Sequence, residues 1–222
     1  MKKFVAILLT ALSVLSLAAC EGGKNPVSDE TTLSAEGETT EINISLADGI
    51  SRGTINENTF TNITTGIKFT KPDSWAFSTD EDIAAMMNIG TSHLDRDIFE
   101  KAIAEMSTVY DMVVIDPDTS ASVTVAYENI AFSEKDISTE EKYLESIKEQ
   151  LISTSMDFTF EDKIKSERLG AYTYKKLEST NTTSGYSIQQ TIYARVIGDY
   201  MCTIVISNIA KGQLSKIEAM FS

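Results

Sequence analysis

Hydrophobic and polar positions divide the chain into three textures. Phe4 to Leu17 is an almost unbroken apolar run, interrupted only by Thr10, Ser13 and Ser16. Residues 21 to about 52 are rich in Gly, Ser, Thr, Asn, Asp and Glu, with few large apolar groups. Such a segment buries too little surface to offset its ordering entropy, although Ile42, Ile44 and Leu46 alternate as a short strand would. From Thr54 onward the pattern is that of a folded domain. Thr54 to Thr61 and Thr64 to Thr70 read as two strands around Asn62, and Trp75-Ala76-Phe77 resumes after a break at Lys71-Pro72-Asp73-Ser74. Ser78 and Glu81 have capping-box spacing ahead of Ile83, Met86, Met87 and Gly90. Ser92 can cap a second helix whose stripe is Ile98, Ala102, Ile103 and Met106.

Asp111 to Ile115 and Ser122 to Ile130 are strands joined by Asp116-Pro117-Asp118-Thr119, which has strong turn chemistry. A third helix follows, with a Ser138/Glu141 capping box and the stripe Tyr143, Leu144, Ile147 and Leu151. The last third reads as strands over Phe158 to Ile164, Arg168 to Ser179, Tyr186 to Ile197 and Tyr200 to Ser207. Gly198-Asp199 forms a two-residue hairpin of type II′ character, which sets Ile192 opposite Val205 and Tyr193 opposite Ile204. Apolar groups occur on both faces of that hairpin, so the sheet is covered on both sides. Leu214, Ile217 and Phe221 mark a closing helix. The fold class is α+β, an antiparallel β-sheet with helices packed against it as a sandwich.

The first segment has the layout of an export leader: Lys2 and Lys3, an apolar run too short to span ~30 Å of hydrocarbon comfortably, then Ala18 and Ala19. Leu17-Ala18-Ala19-Cys20 resembles the lipobox of bacterial lipoprotein signal peptides. A thiol is the nucleophile that takes up a diacylglyceryl group as a thioether, and the amine freed by cleavage accepts a further acyl chain such as palmitate. The sequence therefore divides into a signal peptide at 1–19, a flexible tether at 20–53 that starts on lipidated Cys20, and a domain at 54–222. A flexible tether of this length holds the domain on the order of 30 Å from the membrane.

Charge narrows the partners. The formal balance is −14, and −16 once Lys2 and Lys3 leave with the leader. That balance argues against nucleic acid, whose binding rests on neutralising phosphates, and against lying flat on anionic lipid. With Cys20 lipidated, Cys202 has no disulfide partner. It lies in the apolar run Tyr200 to Ile206 and reads as a buried small hydrophobe.

Gly66-Ile67-Lys68-Phe69-Thr70-Lys71-Pro72-Asp73-Ser74-Trp75 resembles the G-x-x-F-x-x-P-x-x-W opening of PsbP-like domains. Gly170-Ala171-Tyr172, the hairpin at Gly198-Asp199 and the ending Ile217 to Ser222 follow in the family's order. The resemblance runs from about Ile55 to Ser222. It implies the PsbP-like sandwich, in the same fold group as the lipoprotein DcrB, and a role as an assembly factor or binding partner. It carries over no site residue. Histidine-based metal sites proposed in some relatives would have only His93, this chain's single histidine, to build on.

Catalytic chemistry finds little to work with. A Ser-His-Asp or Cys-His arrangement would need His93, and zinc would have His93 and Cys202. No G-x-S-x-G, S-x-x-K, G-x-G-x-x-G or P-loop pattern is present. Asp80-Glu81-Asp82 suits a helix N-terminus, Asp116-x-Asp118 lacks the glycine and distal glutamate of an EF-hand loop, and Trp75 reads as a core aromatic. The reading is a membrane-anchored, non-enzymatic binding or assembly module with an envelope protein as partner, and with no catalytic, cofactor or metal residues. The alternatives are an envelope hydrolase with two carboxyl groups about 5–9.5 Å apart in one cleft, and a small-ligand receptor with a closed apolar pocket.

Overall fold

The computed structural model describes residues 49–89, 96–105, 108–130, 137–183, 185, 187–209 and 212–222. Residues 1–48, Cys20 among them, and Gly90, Ser92, His93, Met106 and Tyr186 lie outside them. Among the described residues there are eleven strands: β1 Thr54–Asn56, β2 Thr59–Asn62, β3 Ile67–Thr70, β4 Ala76–Phe77, β5 Thr108–Ile115, β6 Ser122–Asn129, β7 Phe158–Phe160, β8 Lys165–Leu169, β9 Tyr172–Asn181, β10 Ile188–Ile197 and β11 Tyr200–Asn208. The helices are α1 Asp80–Met86, α2 Arg96–Glu105, α3 Glu140–Ile152 and α4 Leu214–Glu218.

Strands β4-β5-β6-β11-β10-β9-β7 form the main antiparallel sheet, with β8 paired to the other end of β9; β1-β2-β3 form a small second sheet. The predicted register holds: Ile192 faces Val205 and Tyr193 faces Ile204, around a turn in which Gly198 has φ 58°. Because side chains alternate along a strand, these two rows point to opposite faces. Tyr193 and Ile204 belong to a core with the small sheet, α1, α2 and α4. Ile192 and Val205 belong to a second core under α3. Both faces are thus covered, and the architecture is the α+β sandwich expected, with the small sheet joining the helices in an outer layer. All four α3 stripe residues, Tyr143, Leu144, Ile147 and Leu151, are buried.

Several boundaries moved for physical reasons. The strand expected over Thr54 to Thr61 is a hairpin, turning at Glu57-Asn58 with Glu57 at φ 50°. Neither residue is glycine, so the usual sequence mark of such a turn is missing. The strand expected over Arg168 to Ser179 folds back at Gly170, where φ is 59°, giving β8 and β9. The strand from Phe158 stops at Phe160 rather than Ile164. Both helix caps sit one residue later than the capping boxes suggested. Thr79, not Ser78, caps α1 in a reciprocal box with Asp82, and Thr139, not Ser138, accepts from Lys142 N–H. Each pair is Ser-Thr, so either hydroxyl could serve. For α1 the later frame keeps an acid three residues on; for α3 the third residue is Lys142, and Glu140 instead accepts from Val196 N–H.

The small sheet is tied down at two places. The chain end lies along β3: Thr70 N–H donates to Met220 O, Ser222 N–H donates to Lys68 O, and the Phe69 and Phe221 rings are 4.8 Å apart. At the β2–β3 turn, Arg195 lies 4.0 Å from the centre of the Tyr172 ring and donates to Thr65 O. Gly66, in that turn, has φ 70°, and a Cβ there would overlap the Tyr172 hydroxyl and ring. Gly66→Ala is expected to cost about 1–2 kcal/mol from backbone handedness alone, measured by urea unfolding. An unchanged midpoint would show that the turn relaxes without strain.

Candidate functional site

Two buried clusters of titratable groups stand out, one on each face of the main sheet. The first is built on an irregularity. The register of β5 against β6 shifts between Tyr110 and Met112, which leaves Asp111 as the extra residue of a bulge. Its carboxylate accepts from Gly53 N–H at 2.9 Å through Oδ1. Oδ2 accepts from Asn62 Nδ2 at 2.8 Å and from the Tyr127 hydroxyl at 2.8 Å. Asn62 Nδ2 also reaches Ser51 O at 2.8 Å, and its Oδ1 accepts from Thr65 N–H at 3.0 Å. Burial raises the Asp111 carboxyl above the usual carboxylate range, and these donors pull against it. The same burial, and then the charge of Asp111, pushes the Tyr127 hydroxyl well up. Every polar group here is used internally, so the cluster binds the segment before β1, the β2–β3 turn and two strands of the main sheet into one unit.

The second cluster is Glu128 and Tyr143. Glu128 is 2 % exposed; its Oε2 accepts from the Tyr143 hydroxyl at 2.9 Å, while Oε1 is buried without a hydrogen-bond partner. Desolvation raises its pKa to about 7, with the Tyr143 hydrogen bond opposing the shift. The two buried acids do not form a pair for chemistry. Tyr127 and Glu128 are consecutive in β6 and so point to opposite faces; Asp111 is bonded to Tyr127, Glu128 to a residue of α3. They therefore do not flank one cleft, and the carboxyl pair that a hydrolase requires is not these two.

The remaining residues singled out in the sequence play local parts. Cys202 is fully buried, and burial pushes its thiol up to about 12, which removes it as a nucleophile. Asp116 closes its own turn, accepting from Asp118 N–H at 3.1 Å and from the Thr119 hydroxyl. Asp80 pairs with Arg52, and Asp80, Glu81 and Asp82 occupy the first turn of α1. Trp75 is buried in the larger core. Among the described residues, no three His, Cys, Asp or Glu side chains are grouped to hold a metal, and no helix is long and apolar enough to cross a membrane.

Sequence pattern alone does not mark Asp111, Asn62 or Glu128 as buried polar groups. A signal for the bulge is present at Asp111: a charged residue inside Val109-Tyr110-Asp111-Met112-Val113 spoils period-two alternation, as a bulge does. Asn62, expected between two strands, ends β2 and is wholly buried.

No protein-family model matches the chain, and no curated protein does. Among solved structures, the chain is similar to the solution structure of cyanobacterial PsbP (CyanoP) from Synechocystis sp. PCC 6803. The match is 10 % identical with a TM-score of 0.42, covering 84 % of this chain and 97 % of that one. It is also similar to the crystal structure of LpqN, involved in cell envelope biogenesis of Mycobacterium tuberculosis, at 11 % identity and a TM-score of 0.37, covering 69 % and 76 %. At TM-scores below 0.5 the likeness carries no chemistry from either protein to this chain.

Proposed function

We propose that this protein is a lipoprotein anchored by acyl chains on Cys20, and that its folded domain is a non-enzymatic binding or assembly module on the extracytoplasmic side of the cell envelope. The observation that carries the reading is Leu17-Ala18-Ala19-Cys20 placed directly after a charged start and an apolar run. One acyl chain binds a bilayer only marginally, at roughly 0.8 kcal/mol per buried methylene, whereas two or three hold stably. A cysteine that can carry a diacylglyceryl group and a further acyl chain on its amine meets that requirement.

Intact-mass analysis of the membrane fraction is expected to show a chain that begins at Cys20 and carries lipid. Cys20→Ala is expected to carry none and to stay uncut. A wild-type chain with a free thiol at Cys20, recovered in the soluble fraction, overturns the anchor. The binding role is tested by crosslinking in native membranes: a defined envelope protein is expected with the wild type and is lost with Cys20→Ala. Purified domain that turns over an envelope substrate, with no crosslinked partner, overturns the non-enzymatic reading.

A further inference from the structure

We infer that Glu128 and Tyr143 form a proton-operated latch that holds α3 on the main sheet and releases its N-terminal half when the carboxyl loses its proton. The geometry places one carboxyl, 2 % exposed, between the sheet and a single helix. On β6, Glu128 is flanked in register by Thr108 of β5 and Met201 of β11, neither of which can balance a charge. Among the described residues its hydrogen-bond donor is the Tyr143 hydroxyl, which comes from α3. Among the described residues the ionisable groups around it are Tyr143 and, acting on that hydroxyl, Tyr110 of β5 and Cys202 of β11. Among the described residues no lysine or arginine acts on the carboxyl.

A protonated carboxyl in this position is neutral and tolerates burial. An ionised one is a buried charge with one neutral donor and a bare Oε1, a costly arrangement that water would relieve. The element water must displace is α3. The rest of that helix's N-terminal half is held by Leu144, buried in the second core, and by two partly exposed contacts, Glu140 accepting from Val196 N–H and Glu141 paired with Lys175. Lifting this half hydrates Glu128 and uncovers part of the apolar floor of the second core, which includes Leu177, Ile192 and Met201. The latch is therefore closed in acid and loosened above neutrality, and it gates an apolar surface in a domain otherwise sealed on both faces.

Hydrogen exchange on the full chain tests this, with rates corrected for base catalysis. With the folded carboxyl titrating near 7 and the open one near 4.5, the opening constant seen at the amides of Tyr143 to Ile147 is expected to rise on the order of thirtyfold between pH 5.5 and 8.5. These amides are expected to exchange ahead of those of Ile204 and Val205, which report global unfolding. Glu128→Gln is expected to abolish the pH response of α3. Tyr143→Phe, which removes the donor to the carboxylate, is expected to move the midpoint upward, a shift that lost packing alone would not produce. Exchange of α3 in step with β11 at both pH values, or a pH response that persists in Glu128→Gln, overturns the latch.

Discussion

Replacing Asp111 with alanine is expected to lower the stability of the domain by about 3–5 kcal/mol, a large share of the 5–15 kcal/mol typical of a domain this size. The loss is not that of one contact. The carboxylate accepts from Gly53 N–H, Asn62 Nδ2 and the Tyr127 hydroxyl. Deleting it strands donors from three separated parts of the chain, the half-buried Gly53 and the buried Asn62 and Tyr127, and a buried one costs about 1–3 kcal/mol if left unmade. Asn62 retains Ser51 O and the Tyr127 oxygen as acceptors, which keeps the total below a simple sum. Asp111→Asn, which keeps the shape and one acceptor oxygen, is expected to lose less. Urea unfolding of both variants checks the order. Equal losses would mean that packing at the bulge, not hydrogen bonding, carries the energy.

Glu128→Gln is expected to reverse the usual sign of a buried polar substitution at neutral pH. The folded carboxyl has its pKa raised from 4.5 to about 7 by desolvation. Between these values the native state binds the proton more tightly than the unfolded chain. The contribution to stability is thus fully present below about pH 4.5, falls as pH rises toward 7, and is absent above it. That difference amounts to ~3 kcal/mol at most. Glutamine cannot ionise, so relative to the wild type the variant is expected to gain about 2–3 kcal/mol between pH 4.5 and pH 8. Paired urea titrations at those two pH values measure it, and the difference between proteins cancels the other groups that titrate. A constant offset across that range would show that Glu128 is hydrated in the folded state.

These two acids also show where sequence reasoning stops. The strand-rich last third was legible because periodicity and a Gly-Asp turn define a hairpin locally; the pairs Ile192/Val205 and Tyr193/Ile204 follow from counting outward from the turn. The α3 stripe was legible for the same reason, since its four apolar residues recur at helical spacing. The hairpin at Glu57-Asn58 was not, because a left-handed glutamate carries no sequence mark and is held by pairing with β2 and by Lys71, whose Nζ donates to Asn58 Oδ1 at 2.8 Å. The cap positions failed by one residue where Ser and Thr are adjacent and packing chooses between them.

The sequence by itself determined the α+β class, the strand order within the final hairpin and the helix face that is buried, and it is the ground of the lipid anchor proposed for Cys20. Each of these is written in contiguous residues, through hydrophobic period, turn chemistry or a short motif. Only the tertiary structure decided which polar residues are buried and with whom. Asn62 and Asp111 are 49 positions apart and Glu128 and Tyr143 are 15 apart, on different elements. Whether a carboxyl is solvated, satisfied or left with a bare oxygen depends on what the fold brings against it. That environment sets its proton affinity, and no local pattern in the chain encodes it.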